Sequence, residues 1–276
     1  MFIFNTLEFV GIFFFSFIIA IISSSLGIGG GIFTVPMILY LGKIHSLPDS
    51  IIGHIAIATS LLTAFLLSFS ASLVNYRKKL IFKDISLFFL FGGLPGVVVG
   101  VVLTNKLDTE QIKLIFGMFV LLVGIKTLIE TLLSKKRESI KNQKNLPKAQ
   151  YILLTFFGFL TSILSTLTGT GGGVIMIPLF SYFRKNESFE MSIATSTFVM
   201  TIMSLFSSIL FFFQKRIEMP QPSIGYYYLP FVIPSLIGSI LGGAMGANLK
   251  SFISDKNLKL SLSILQIFIG IKVLFF

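Results

Sequence analysis

Two glycine-rich stretches share one residue spacing and could bind an anion through the backbone. Residues 27–36 read GIGGGIFTVP and residues 169–178 read GTGGGVIMIP, 142 positions later, with the glycines and the proline in register. A glycine cluster that opens a helix leaves several backbone N–H groups unpaired, and the helix dipole adds positive charge there. Such a helix N-terminus is an anion site that glycine lets a ligand approach closely. The candidates are Gly27, Gly29, Gly30, Gly31, Gly169, Gly171, Gly172 and Gly173.

Hydroxyl side chains near the two clusters are candidates for further contacts with a ligand. The sequence IATS occurs at residues 57–60 and again at residues 193–196. A hydroxyl on an apolar helix commonly donates to its own backbone, and that interpretation stays open. Recurrence at equivalent positions favours donation to a ligand instead. The candidates are Ser25, Thr59, Ser60, Thr170, Thr195 and Ser196.

The composition indicates an integral membrane protein. Of the 276 residues, 54% are apolar and 12% are charged, whereas about a quarter of the residues in a soluble domain are charged. The net charge of +11 could suggest nucleic acid. The basic residues lie in short loops between apolar runs, however, and that distribution orients a membrane protein. We therefore expect the lipid bilayer, and not nucleic acid, as the partner of this chain.

The residues that most enzymes and metal sites need are missing. Cysteine is absent, and the two histidines, His45 and His54, are too badly spaced for one helical face, which argues against a metal site. The apolar runs contain no paired carboxylates and no nucleophile next to a base. The glycines at 27, 29 and 31 with Asp49 superficially resemble a dinucleotide fingerprint, but the required strand–loop–helix context is absent. We expect no catalytic residues and no cofactor.

Six uncharged runs and two runs that are apolar apart from Lys126, Glu130 and Lys272 define eight candidate membrane segments, since a span needs about 20 apolar residues. The segments are Phe9–Gly42, Ser50–Tyr76, Ile85–Asn105, Leu114–Leu133, Ala149–Phe183, Met191–Gln214, Met219–Leu249 and Leu260–Phe276. A basic polar stretch separates the first four from the last four. The predicted organisation is a first transmembrane repeat (1–134), a basic cytoplasmic linker (135–148) and a second transmembrane repeat (149–276).

The two halves match in several landmarks besides the glycine clusters. Gly96 and Gly100 correspond to Gly238 and Gly242, and the sequence GIK at residues 124–126 recurs at residues 270–272. Four landmarks in one order predict two homologous four-segment repeats, and internal duplication is typical of secondary transporters. Glycines four apart in smooth apolar helices are best explained by close helix packing. Snorkelling toward the membrane surface is the simplest interpretation of the two GIK lysines, although a charge lining an anion path stays open.

The first and fifth segments are predicted to be broken at their glycine clusters. They are 34 and 35 residues long, too long for one span and too short for two. We expect a helix, a break, and a shorter helix that starts at the last glycine, with the proline in the region whose N–H groups make no internal bonds. Such a break needs a protein or water environment rather than lipid.

Two topologies follow from the broken segments. If each segment crosses fully, the repeats are parallel and the cytoplasmic loops hold 12 Lys and Arg residues against 8 outside. If each is a hairpin that returns to the side it entered, the repeats are inverted and the counts are 15 against 5. The positive-inside rule favours inverted repeats. The near-full span of apolar residues before the first cluster is the counterargument.

The paired motifs GIGGGIFTVP and GTGGGVIMIP, with ATS in both second segments, resemble the TauE/SafE sulfite exporter family. The resemblance covers essentially the whole chain and implies a permease for sulfite, sulfonates or related small anions. Thr170 stands where the first half has Ile28, so the halves differ chemically. We expect a multi-pass permease of the plasma (inner) membrane that exports a small anion. A cation or neutral-metabolite permease on the same scaffold is the alternative.

Overall fold

In the part that the structure describes, the chain forms a helical bundle with one short β-hairpin. The computed structural model describes residues 6–133, 146–184, 187–214, 219–249 and 255–275. The elements in chain order are α1 (Thr6–Leu26), α2 (Gly31–Ile44), α3 (Asp49–Arg77), α4 (Lys83–Thr104), α5 (Thr109–Leu133), α6 (Lys148–Thr168), α7 (Gly173–Phe183), α8 (Phe189–Phe213), β1 (Ser223–Ile224), β2 (Tyr227–Tyr228), α9 (Leu229–Leu249) and α10 (Asp255–Phe275). Seven of these helices are long and apolar enough to span a membrane. The chain is therefore a multi-pass membrane protein, while residues 135–145 of the predicted linker lie outside the described part.

Both predicted helix breaks are confirmed. The α1 helix ends at Leu26 and α2 begins at Gly31, and α6 ends at Thr168 before α7 begins at Gly173. The position expected for the proline was wrong. Pro36 and Pro178 lie inside the short helices, beyond the first turn. Each proline therefore removes one intrahelical hydrogen bond rather than occupying a position where none is made.

Each pair of helices joined by a glycine cluster starts and finishes at the same end of the bundle. Glu8 lies in the first turn of α1, and its Oε1 is 3.6 Å from Nε2 of His45, which caps the end of α2. At the other pair, one oxygen of Asp84 accepts hydrogen bonds from Tyr151, near the start of α6, and from Arg184, which caps α7. The α1–α2 and α6–α7 pairs are therefore hairpins.

The two hairpins enter the bundle from opposite ends. The α3 helix begins at Asp49, directly after the α1–α2 hairpin, and ends at Arg77, shortly before Asp84. Because α3 is one continuous helix of 29 residues, its two ends mark opposite ends of the bundle. We call them the Glu8 end and the Asp84 end. The glycine clusters approach each other from these two directions.

Glycines let the hairpin helices pack backbone to backbone on their neighbours. A Cβ added at Gly238 of α9 would meet Phe13 O of α1, and one added at Gly96 of α4 would meet Phe159 O of α6. Close approach of this kind is how small residues hold membrane helices together. The expectation that these glycines serve packing is confirmed. At the centre, α3 and α8 cross, and Thr201 Oγ1 donates to Ser68 Oγ at 3.1 Å.

A β-hairpin occupies residues that the sequence analysis included in the seventh membrane segment. The predicted segment starts at Met219, whereas α9 starts only at Leu229. Pro220, Pro222 and Gly225 lie in the intervening residues, and they disfavour a helix there. The hairpin covers the Glu8 end, where Tyr226 stacks on His54 at 5.2 Å between ring centroids. Burial raises the pKa of the Tyr227 phenol, which donates to Ser208 O at 2.8 Å.

The acidic residue that joins both ends of the α6–α7 hairpin should contribute measurably to stability. We expect Asp84→Ala to lower the free energy of unfolding by about 3 kcal/mol or more, because two hydrogen bonds to a charged acceptor are lost and each is worth about 1.5–3 kcal/mol. The Arg184 side chain is only 10% exposed, so water replaces its partner poorly. The midpoint of thermal unfolding in detergent measures the effect. Glu187→Ala, at an exposed position of the same end, is the control, and an equal shift for both variants would contradict this role.

Candidate functional site

The two glycine clusters form a pair of buried loops with matching backbone conformations. We call residues 27–30 and 169–172 the glycine loops. Gly27 and Gly169 both have φ +67°, and Gly29 and Gly171 both have φ +77°. Residues with a Cβ rarely adopt such angles, which explains why glycine recurs at these positions. The loops differ at their last residue, since Gly172 has φ +80° and Gly30 has φ −72°.

The glycine loops contact each other through their backbones. A Cβ added at Gly31 would lie within 3.0 Å of both the carbonyl oxygen of Gly169 and the Cα of Thr170. A Cβ added at Gly173 would collide in the same way with Gly27 O and the Cα of Ile28. The structure therefore brings together all eight glycines that the sequence analysis singled out. Each short helix begins against the loop of the other half.

Several amide groups at the start of each short helix lack a backbone partner. In α2 the N–H groups of Phe33 and Thr34 donate to Gly30 O at 3.0 Å. Among the described residues, no backbone acceptor is found for the N–H groups of residues 30–32. The same holds in α7, where the N–H groups of Ile175 and Met176 donate to Gly172 O at 3.1 Å and residues 172–174 have no backbone acceptor. Two sets of unpaired amide donors thus lie in the buried centre.

Serine hydroxyls bind the carbonyl groups that face the same centre. Ser60 of α3 donates to Gly169 O at 2.6 Å, and Ser196 of α8 donates to Gly27 O at 3.2 Å. The two bonds are reciprocal, because each serine of one half holds the glycine loop of the other. The hydroxyls therefore occupy carbonyl oxygens that would repel an anion. Direct contact of Ser60 and Ser196 with a ligand stays a prediction.

The remaining hydroxyl candidates have different environments. Ser25 donates to Ile21 O and to Gly246 O, so it joins α1 to α9. Thr195 donates to Met191 O and accepts from the N–H of Phe82, so it lies at the start of α4 rather than at the loops. Their hydroxyls are engaged within the protein, and a ligand contact would require these bonds to break.

Two of the candidate threonines could still contact a ligand through their hydroxyls. Thr170 Oγ1 lies 3.0 Å from Thr168 Oγ1 within the second glycine loop, where Ile28 offers the first loop no hydroxyl. Thr59 is fully buried, and its Oγ1 has no hydrogen-bond partner among the described residues. A buried hydroxyl without a partner is unfavourable unless something else binds it. Of the six candidate hydroxyls, that of Thr59 is therefore best able to accept a new partner.

Met200 lies against both glycine loops, and the sequence analysis did not identify it. Its sulfur lies 2.8 Å from the Cβ positions that alanines at Gly29 and Gly171 would have, one in each glycine loop. The offset between the two IATS sequences pairs Met200 with Ala64, but this pairing does not mark either residue as part of a site. A single apolar residue within an apolar helix gives no other indication of its position.

The GIK lysines do not lie at the glycine loops. Lys126 is 63% exposed and lies 3.9 Å from Glu130, which agrees with snorkelling. Lys272 lines a cavity of about 90 Å³ between α2, α5 and α10, together with Lys43 and Lys113. Within the described residues no group of three potential metal ligands is found.

Apolar membrane-spanning helices around two opposed, buried helix breaks define the class of protein as a membrane transporter, because such breaks carry the substrate sites of many secondary transporters. Residues 12–273 match the sulfite exporter TauE/SafE family. The chain belongs to this family, and the resemblance carried by its glycine motifs is confirmed.

Curated relatives agree with this assignment. The chain is 24% identical to the probable membrane transporter protein YunE of Bacillus subtilis over 271 residues, covering 92% of this chain and 93% of the relative. A probable membrane transporter protein of Methanocaldococcus jannaschii is 25% identical, with 90% and 88% coverage. One of Haemophilus influenzae is 24% identical, with 90% of each chain covered. No solved structure is significantly similar to the chain.

Proposed function

We propose that this transporter is a permease for a small oxyanion, such as sulfite or a sulfonate, and that it works as an exporter. The anion is held by the N-terminal amide groups of α2 and α7. The observation that carries the proposal is the pair of unpaired amide sets at residues 30–32 and 172–174, which belong to opposed helices. Hydrogen bonds to a charged group are worth about 1.5–3 kcal/mol each, so a few suffice for binding.

The charge distribution at the centre supports an anion rather than a cation. The N-terminal dipole ends of α2 and α7 meet there, and each contributes partial positive charge. The C-terminal ends of α1 and α6 also arrive at the loops, but Gly27 O and Gly169 O accept hydrogen bonds from serines. No Asp or Glu is buried among the described residues. A cation would therefore meet donors and no carboxylate.

The two halves act as inverted repeats related by an axis in the membrane plane. The reciprocal bonds Ser60–Gly169 and Ser196–Gly27 support this relation, as does the entry of the two hairpins from opposite ends. The Asp84 end is cytoplasmic, as is the basic linker between α5 and α6, because this assignment places 15 of the loop Lys and Arg residues inside. A site between inverted repeats can open to either side in turn.

Export is the favoured direction for an anion in a cell with a negative interior. The membrane potential supplies about 2.3 kcal/mol per charge per 100 mV for outward movement. Uptake would need a co-transported proton or cation. The absence of a buried carboxylate among the described residues disfavours such coupling.

Purified protein in proteoliposomes tests the function. We expect an imposed interior-negative potential to drive efflux of trapped sulfite or methanesulfonate, and an added related oxyanion to compete. Potassium and choline should not move above the rate of protein-free liposomes. Flux of a cation or of a neutral metabolite, without flux of any oxyanion, would overturn the proposal in favour of the alternative permease.

A further inference from the structure

A methionine side chain lies between the two glycine loops. Met200 of α8 is fully buried. Its sulfur is 2.8 Å from the Cβ position of an alanine built at Gly29 and 2.8 Å from that of one built at Gly171. The thioether therefore packs against both loops at once. It fills space directly beside the amide groups that begin α2 and α7.

The other half of the protein has a much smaller residue at the equivalent position. Aligning the IATS sequences at residues 57–60 and 193–196 pairs Met200 with Ala64 of α3. The Cβ of Ala64 also faces the second loop, 3.5 Å from the Cβ position of Gly171. Both residues thus border the centre, but α8 contributes a long side chain and α3 a single methyl group. Of these two aligned positions, the one on α8 therefore fills more space beside the loops.

The side chains beside the glycine loops are apolar, and that of Met200 is flexible. Met200 and Ala64 present sulfur and carbon to the centre, whereas the donors are backbone amides. Methionine is unbranched and has three rotatable bonds, so its side chain can adjust to contact a short alkyl group without a backbone movement. A ligand that fits this centre has an oxyanion group that binds the amides and a small apolar group that contacts Met200 and Ala64.

We propose that Met200 determines the size of the anion that the transporter accepts and selects sulfonates with a short alkyl group. This inference rests on the proposed function. The thioether lies over the loops when the site is empty and contacts the alkyl group when an anion is bound. Longer alkyl chains are excluded because the sulfur occupies the space that they need.

The test compares alkylsulfonates of increasing length in proteoliposomes. We expect Met200→Ala to raise the flux of butanesulfonate relative to methanesulfonate by about tenfold or more, since one methylene in an apolar pocket is worth about 10–200-fold in discrimination. Met200→Leu, which keeps most of the volume, should retain the original ratio. Ala64→Met is the matched control in the other half, and it should lower the flux of every sulfonate relative to sulfite.

The outcomes separate this inference from the function on which it rests. If the unchanged protein carries sulfite and methanesulfonate but Met200→Ala and Ala64→Met leave the flux ratios unchanged, the role of Met200 is overturned alone. If Met200→Ala does not yield folded protein, Ala64→Met decides the question through the flux of methanesulfonate relative to sulfite, and an unchanged ratio overturns the inference. Absence of oxyanion flux in the unchanged protein would overturn both proposals.

Discussion

Replacing Gly31 by alanine should abolish transport although the substitution adds only one methyl group. The new Cβ would lie within 3.0 Å of Gly169 O and of the Cα of Thr170, both of which are backbone atoms. Backbone atoms cannot rotate away as a side chain can, so the two glycine loops must separate. Gly173→Ala should have the same effect through Gly27 O and Ile28. Oxyanion flux per incorporated protein is the measurement.

Two alanine variants control for the general effect of the substitution. Gly11 of α1 has no atom within 4 Å of its Cβ position, so Gly11→Ala should transport normally. Gly30 has φ −72°, and its nearest neighbour is the end of the flexible Leu67 side chain at 3.0 Å. We therefore expect Gly30→Ala to retain most of its activity.

Comparing Gly30→Ala with Gly31→Ala separates the loss of contact between the glycine loops from a general loss of flexibility. The two residues are adjacent and both buried, so a general loss of flexibility would affect both. Alanine also favours a helix over glycine by roughly 0.5–1 kcal/mol, and this effect alone would stabilise the start of α2. Normal oxyanion flux in both Gly31→Ala and Gly173→Ala would show that transport does not depend on contact between the glycine loops.

The helix breaks could be predicted from the sequence because their cause is local. Four glycines in five positions weaken any helix, and the lengths of the first and fifth segments exclude a single span. The membrane-spanning character was equally accessible, since it depends on composition. The β-hairpin before α9 was not recognised, because the uncharged run from Met219 to Leu249 is continuous and the turn residues within it received too little weight.

The arrangement of the site could not be predicted, because it depends on contacts between the halves. Nothing local indicates that Ser60 binds the carbonyl of Gly169 or that Ser196 binds that of Gly27, 109 and 169 residues away in the chain. The sequence analysis named both hydroxyls as candidate contacts of a ligand and left donation to their own helix open. Their recurrence is explained by this reciprocal bonding as well as by a shared substrate. Met200 was missed for the same reason, since its neighbours are distant in sequence.

Cysteine labelling should place the two hairpin mouths on opposite sides of the membrane. The chain contains no cysteine, so an introduced one is the single reactive site. We expect cysteines at Ser46 and Gln221 to react with an impermeant thiol reagent added outside intact cells. Cysteines at Lys78 and Glu187 should react only after the membrane is permeabilised. All four positions are exposed.

Labelling at positions 221 and 187 distinguishes the two topologies. Parallel repeats with full crossings would leave Ser46 outside and Lys78 inside as well, so those two serve as controls for labelling. They would, however, place Glu187 outside and Gln221 inside. The structure puts the α2 end beside the α1 start, through Glu8 and His45, and the α7 end beside the α6 start. We expect hairpins held in this way to emerge on the side that they entered, so labelling of Glu187→Cys but not Gln221→Cys from outside would refute the inverted arrangement.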